Sequence, residues 1–145
     1  PLAWAQDGTV WLVSPGGKIV EQRNTVGDYP TIDGCRLLAP SVGTLIALDT
    51  ENDTRWQSLL ELLAALEAAD KLGEVVAIHI GNAAYLTMDY MGRFSVELNY
   101  DADFAYKLRT LDSILASGKI QENMTGTFNM RGEDGKTNFI QNSVK

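Results

Sequence analysis

Apolar residues repeat at helical spacing in a segment near the middle of the chain. The repeat consists of Trp56, Leu59, Leu60, Leu63 and Leu66. Residues 52–54, Asn-Asp-Thr, offer several N-caps, and Gly73 stands where a glycine that ends a helix belongs. The pattern predicts an amphipathic helix whose apolar stripe packs on a sheet.

A second amphipathic helix is predicted for residues 101–117, closed by Gly118. Its apolar face carries Phe104, Leu108, Leu111 and Leu115. Asp101 is the predicted N-cap, and Asp103 lies in the first turn, where an anion favours the helix dipole. The opposite face, with Lys107, Arg109 and Asp112, is predicted to be solvated.

Runs of β-prone residues predict strands in the rest of the chain. These runs are residues 9–13, 18–22, 74–80, 84–90, 94–98, 125–131 and 136–141. Tight turns at 14–17, 91–93 and 132–135 join neighbouring strands, and a further short strand is predicted at 36–38 within a loop. The sequence therefore predicts an α+β domain, in which two helices pack on a mostly antiparallel β-sheet with an edge strand near the C-terminus.

Composition indicates a single globular domain that is not built to bind polyanions. A chain of 145 residues, 45% of them hydrophobic, can bury about two thirds of its unfolded surface. The net charge of -7 argues against a nucleic-acid surface and against docking on anionic lipid. The single Cys35 excludes an intramolecular disulfide and leaves the redox compartment open. No apolar run approaches the roughly 18 residues that a membrane-spanning helix needs.

Few residues suggest chemistry, and each has a simpler structural explanation. His79 is the only histidine, and the sequence indicates no second metal ligand or orienting base for it. Cys35 would need a nearby base to be reactive, and Asp101 with Asp103 suits a helix start better than a catalytic pair. The acidic turn at 133–134 lacks the spaced ligands of a calcium loop. We therefore predict no catalytic residue, no cofactor and no metal, and hence no enzyme.

Several short motifs follow one another in a distinctive order along nearly the whole chain. They are the opening Pro1-Leu2-Ala3-Trp4, the 8–20 hairpin, the Tyr-Pro-Thr-Ile-Asp-Gly segment at 29–34, the first helix, the meander of residues 74–98, the Lys107-Leu108 and Ile114-Leu115 pairs of the second helix, and the strand at 126–131. In this order they resemble the extracytoplasmic β domain of the bacterial cell-division proteins FtsQ and DivIB. Two positions depart from the family pattern: Ser14 and Asn129 stand where an Asp is common.

The resemblance implies a non-enzymatic factor of divisome assembly and septum formation. In the family, a cytoplasmic tail, one transmembrane helix and a small POTRA domain precede this region, which would explain a fragment that starts at Pro1. Residues 1–145 would then lie on the extracytoplasmic face of the bacterial membrane at the septum, and the upstream helix would be the only membrane contact. The implied partners are two small bitopic coiled-coil proteins, FtsB or DivIC and FtsL, and no nucleic acid.

The predicted contact surface is the edge strand near the C-terminus. An edge strand presents unpaired N–H and C=O groups to an extended partner segment. Its residues are Thr137, Asn138, Phe139, Ile140 and Gln141, with the neighbouring strand and the last turns of the second helix as the rim. Because successive N–H groups point to opposite edges of a strand, one of Asn138 and Phe139 should donate inward and the other outward.

Two other classes of protein stay open on the sequence alone. A secreted ligand-binding or peptidoglycan-binding module would show a concave apolar pocket with a few converging polar groups. A hydrolase with paired carboxylates would hold two acids about 5 to 9.5 Å apart across a cleft.

Overall fold

Two helices and nine strands make up the fold in the computed structural model, which describes residues 1–48, 55–132 and 137–142. The strands are β1 (Leu2–Gln6), β2 (Thr9–Val13), β3 (Ile19–Arg23), β4 (Thr31–Asp33), β5 (Val75–His79), β6 (Tyr85–Tyr90), β7 (Phe94–Asn99), β8 (Gly126–Asn129) and β9 (Asn138–Gln141). The helices are α1 (Arg55–Ala68) and α2 (Phe104–Ala116), and a short 3-10 turn, Leu72–Glu74, precedes β5. The described residues contain no helix that is both long and apolar enough to span a bilayer.

The strands form one sheet in the order β3-β2-β1-β4-β5-β6-β7-β8-β9. Neighbours β1 and β4, β4 and β5, and β7 and β8 are parallel, and the other pairs are antiparallel. The predicted α+β class, the mostly antiparallel sheet and the edge position of the last strand are therefore confirmed.

The hairpins form where the local sequence predicts them. Met91 and Gly92 both adopt left-handed φ values, of 60° and 67°, and so reverse the chain between β6 and β7. Between β2 and β3, Gly17 has a φ of 88° and its N–H donates to the Ser14 carbonyl over 2.9 Å. β5, β6 and β7 form the predicted antiparallel meander, and β8 pairs antiparallel with β9. Turn residues 133–136 lie outside the described part of the chain.

Two strands that the sequence pattern did not predict connect the halves of the sheet. β1 pairs with β2 on one side and with β4 on the other, and β4 lies parallel to β5. The residues that follow Pro30 are extended and form β4, whose central residue Ile32 is buried. The prediction of a strand at residues 36–38 is wrong. In this segment only Leu37 pairs, through a single isolated bridge to Leu48.

Both helices cover one face of the sheet. The buried side of α1 consists of Ser58, Leu59, Leu62, Leu63 and Leu66, whereas the predicted stripe members Trp56 and Leu60 are only partly buried. The sheet contributes Leu86, Met88, Tyr90, Val96, Leu98 and Phe128 to the same core. On the opposite face, Ala3, Val10 and Leu12 form a small second cluster with Val26 and Tyr29. The intervening positions of β6 and β7 are only partly buried, and they leave a largely polar sheet face.

The C-terminus of α1 differs from the prediction. Gly73 does not end the helix; it lies in the 3-10 turn, and Asp70, with a φ of 58°, takes the left-handed position. The N–H of Lys71 donates to the Leu66 carbonyl over 2.8 Å, and that of Asp70 to the Glu67 carbonyl over 3.1 Å. These two bonds form a Schellman motif, which satisfies carbonyls at the helix end. The predicted caps at 52–54 lie outside the described residues.

Two predictions for α2 are also corrected. Asp103, not Asp101, is the N-cap, and its carboxylate accepts the Tyr106 N–H over 3.1 Å. Lys107 is buried rather than solvated, because its stem enters the core and its Nζ donates to the Gly132 carbonyl over 3.0 Å. Gly118 adopts a φ of 79° just after the helix, as predicted.

Candidate functional site

Among the described residues, β9 forms one edge of the sheet and pairs with β8. Its register places Asn138 opposite Asn129, Phe139 opposite Phe128, Ile140 opposite Thr127, and Gln141 opposite Gly126. Asn138, Ile140 and Gln141 are exposed, and Phe139 is partly buried. Among the described residues no strand lies beyond β9, so one side of its main chain is unpaired.

One hydrogen bond determines which β9 groups face outward. The N–H of Asn142 donates to the Thr125 carbonyl over 2.8 Å, so residue 142 faces β8. Since the main-chain groups of a strand alternate between its two edges, every second residue also faces β8. The inward residues are Asn138 and Ile140, and the outward residues are Phe139 and Gln141.

The opposite side of β8 supports this assignment. There the N–H of Gly126 donates to the Arg93 carbonyl over 3.2 Å, and the N–H of Met130 donates to the Glu97 carbonyl over 3.0 Å. Even-numbered residues of β8 therefore bond β7, which leaves the odd-numbered ones to bond β9. The outward main-chain groups of β9 are those that an added strand would bond.

The other edge of the sheet is partly covered. Ile19 in β3 exchanges hydrogen bonds with segment 43–45: its N–H donates to the Thr44 carbonyl, and its carbonyl accepts from Gly43, both over 2.8 Å. Lys18 and Leu45 form an additional bridge there. Of the two edges, β9 therefore presents the more open template among the described residues.

Phe139 anchors β9 to the core. Its ring centroid lies 4.7 Å from that of Phe128 and 6.0 Å from that of Phe94. A side chain on Gly126 would collide with the Ile140 carbonyl and the Phe139 ring, so glycine permits the close approach of β8 and β9. Ile140, 63% exposed, projects from the opposite face of the strand. The edge is thus a fixed strand with one large apolar side chain in solvent.

Two surface grooves have volumes of about 490 and 500 Å³. The first runs along the exposed side of α2 and is lined by Tyr106, Arg109, Thr110, Ser113, Ile114, Ser117 and Lys119. The second is lined by residues of β1, β2 and segment 36–40. Both are open at the surface and have mixed polar and apolar linings, unlike the converging polar groups on an apolar floor that a ligand pocket requires.

The fold provides His79 with partners that the sequence did not indicate. Nδ1 lies 2.8 Å from Oδ1 of Asp33 on β4, and Nε2 lies 2.8 Å from Oδ2 of Asp89 on β6. Burial lowers the pKa of the imidazole, but the hydrogen bonds to Asp89 and Asp33 and the negative charges of these two carboxylates together raise it by more, so the net shift is upward from 6.5. Sequence separations of 46 and 10 residues explain why no local motif indicated this cluster.

The other candidate residues have structural contacts. Cys35 donates its thiol to the Ile80 carbonyl over 3.5 Å, and Arg55 Nη1 lies 3.4 Å from its sulfur and 3.0 Å from the same carbonyl oxygen. A guanidinium cannot act as a base for the thiol. Asp103 caps α2 and Asp101 is exposed. The acidic turn at 133–134 is outside the described residues, and the described part of the chain holds no group of three or more potential ligands able to bind a metal.

Comparison with known proteins finds no match to the chain among protein-family models, curated proteins or solved structures.

Proposed function

We propose that this chain is a non-enzymatic cell-division assembly domain of the FtsQ and DivIB type, which binds FtsB-like or DivIC-like partners by strand addition. The observation that carries the proposal is the outer side of β9, which has no paired strand in the part of the chain that the structure describes and where the main-chain groups of Phe139 and Gln141 face outward. The order of motifs, which resembles that family along nearly the whole chain, supports it. The domain would act on the extracytoplasmic face of the membrane at the division septum, with FtsL-like proteins in the same complex.

The edge offers directional binding groups without further rearrangement. The N–H and C=O of Phe139 and Gln141 supply two donors and two acceptors, spaced as an added antiparallel or parallel strand requires. Phe139 is already held by the Phe94 and Phe128 rings, so little conformational entropy remains to be lost in this strand on binding. The exposed Ile140 gives an incoming strand an apolar neighbour.

Two proline variants at adjacent positions separate binding from folding. Gln141→Pro removes an outward donor and should leave the fold nearly intact while abolishing partner binding. Ile140→Pro removes an inward donor to β8 and should destabilise the domain by about 1 kcal/mol or more. Both side chains are exposed, so neither variant removes core packing. Phe139 is unsuitable for this test because its replacement would also remove an aromatic contact.

Binding should be measured with the purified extracytoplasmic segment of the FtsB-like or DivIC-like protein from the same organism, alongside thermal unfolding of each variant. On binding, the amides of Phe139 and Gln141 should gain protection from hydrogen exchange, while those of Asn138 and Ile140 should change little. A folded Gln141→Pro variant that keeps native affinity would refute strand addition at β9.

A further inference from the structure

The sheet consists of two stretches of chain that meet at one parallel joint. Strands β1 to β4 come from residues 2–33, and β5 to β9 from residues 75–141. The joint between β4 and β5 has three residue pairs, Thr31 with Ala77, Ile32 with Ile78, and Asp33 with His79. The last pair places a carboxylate beside an imidazole.

His79 contacts a carboxylate through each of its ring nitrogens. Nδ1 lies 2.8 and 3.0 Å from the two oxygens of Asp33, and Nε2 lies 2.8 Å from Oδ2 of Asp89. A neutral imidazole carries one N–H, so it could donate to only one carboxylate and would direct a lone pair at the other. The imidazolium ion donates to both. The geometry is therefore that of a charged histidine between two anions.

We propose that protonated His79 clamps β4, β5 and β6 together, and that loss of its proton weakens the β4–β5 joint, which makes the joint a pH-sensitive element of the fold. Three strands share this one side chain, and the joint it spans is only three residue pairs long. The clamp is independent of the β9 edge and of partner binding.

The charges around the imidazole favour the proton. The charged groups on the neighbouring elements are Asp33 on β4, Asp89 on β6, Arg93 in the turn before β7, Glu97 on β7, and Arg131 after β8. Arg131 Nε lies 3.3 Å from the Glu97 carboxylate, and Arg93 Nε donates to the Met124 carbonyl over 3.1 Å, so both guanidiniums are engaged elsewhere. Deprotonation would leave the carboxylates of Asp33 and Asp89 without the cation between them.

The direction of the pH effect follows from the contacts. The pKa of His79 is lowered by burial and raised by more through the combined hydrogen bonds and charges of Asp89 and Asp33, so in the folded chain it lies above 6.5. A basic group with a raised pKa stabilises the fold while it is protonated. The contribution is complete below the unfolded pKa of about 6.5 and is lost as the pH rises through the folded value.

The protonation state can be read directly, because the chain has a single histidine. Ring 15N shifts followed from about pH 5 to about pH 9 should show both nitrogens protonated at the acidic end of this range and a midpoint above 6.5. Asp33→Asn and Asp89→Asn should each lower that midpoint, whereas Asp28→Asn, which removes an exposed loop charge, should leave it nearly unchanged. A native midpoint at or below 6.5, or equal effects of all three variants, would overturn the clamp.

Hydrogen exchange tests the joint itself. The Ile80 N–H donates to the Asp33 carbonyl across the joint over 2.8 Å, and the Ile19 N–H donates to the Thr44 carbonyl over 2.8 Å far along the sheet. After correction for intrinsic exchange, the protection of Ile80 should fall with rising pH relative to that of Ile19. His79→Gln should abolish this difference. If, in the native chain, the protection of both amides changes equally with pH, or neither changes, the proposal of a local pH-sensitive joint is refuted.

Discussion

Gly34 and Gly81 lie against each other where the β4–β5 joint ends. A Cβ on Gly34 would collide with the main-chain nitrogen of Gly81, and Gly34 has a φ of 107° that other residues rarely adopt. Beside them, the Ile80 N–H donates to the Asp33 carbonyl over 2.8 Å. Both the backbone conformation and the available space therefore require glycine at position 34.

Gly34→Ala should destabilise the domain more than Gly43→Ala. Gly43 has a similar φ of 93°, but nothing lies within 4 Å of a Cβ built there, so its variant carries only the backbone strain, about 1 to 2 kcal/mol. Gly34→Ala adds a steric clash with main-chain atoms and should cost about 3 kcal/mol or more. Urea unfolding of the two variants checks this, and equal losses would contradict the close approach of Gly34 to Gly81.

Asp103→Ala should lower the free energy of unfolding by about 1 kcal/mol, because it removes the side chain that accepts the Tyr106 N–H. Asp101→Ala removes an equal charge two residues earlier and should change stability by less than about 0.5 kcal/mol. Denaturant unfolding of both variants measures the difference. A larger loss of stability for Asp101→Ala than for Asp103→Ala would show that Asp101, the N-cap predicted from the sequence, caps the helix.

Lys107→Met should cost about 1 to 2 kcal/mol. The variant keeps an apolar stem in the core but loses the Nζ bond to the Gly132 carbonyl. Arg109→Met is the matched control on the exposed side of α2 and should be nearly neutral. Thermal unfolding distinguishes the two, and an equally neutral Lys107→Met would show that Lys107 is not held by the segment after β8.

Tyr90 should make stability fall in alkaline solution. Burial, then the carboxylates of Asp112 and Glu74, raise the pKa of its phenol from 10.0 to about 12. Between these values the unfolded chain releases the proton and the native chain keeps it, so the free energy of unfolding decreases as the pH rises through that range. Tyr90→Phe should remove this component, whereas Tyr106→Phe, at an exposed site, should preserve it. Unfolding measured across the alkaline range checks both variants, and an unchanged slope in Tyr90→Phe would contradict the assignment.

Local sequence was sufficient for the elements whose structure depends on neighbouring residues. The Met91-Gly92 turn, the β5–β7 meander and the burial of Phe104, Leu108 and Leu111 in α2 follow from turn residues and periodicity within a few positions. The α+β class and the edge position of the last strand follow from the order of these elements. The predicted role of Thr137 to Gln141 as a partner surface stays a prediction.

Tertiary structure decided the features that join distant segments. β4 has only three residues, and its strand character depends on its pairing with β1 and β5, while its Ile32 is buried in the main core. The same pairing brings Asp33 to His79, so the ionic cluster could not be read from either local sequence. At the start of α2, Asp101 and Asp103 are both suitable N-caps by sequence, and in the folded chain the helix begins at the buried Phe104, so Asp103 is the cap.

For β9, the sequence predicts the strand but not the direction of its main-chain groups. A β-prone run at residues 136–141, placed after a turn, predicted the strand. The pairing with β8 sets which main-chain groups of β9 face outward. In the folded chain, the hydrogen bond from the Asn142 N–H to the Thr125 carbonyl shows that residue 142 faces β8. The sequence by itself thus determined that a strand and a sheet edge form near the C-terminus. Only the tertiary structure decided that Phe139 and Gln141 face outward, because hydrogen-bond direction is a property of the pair of strands.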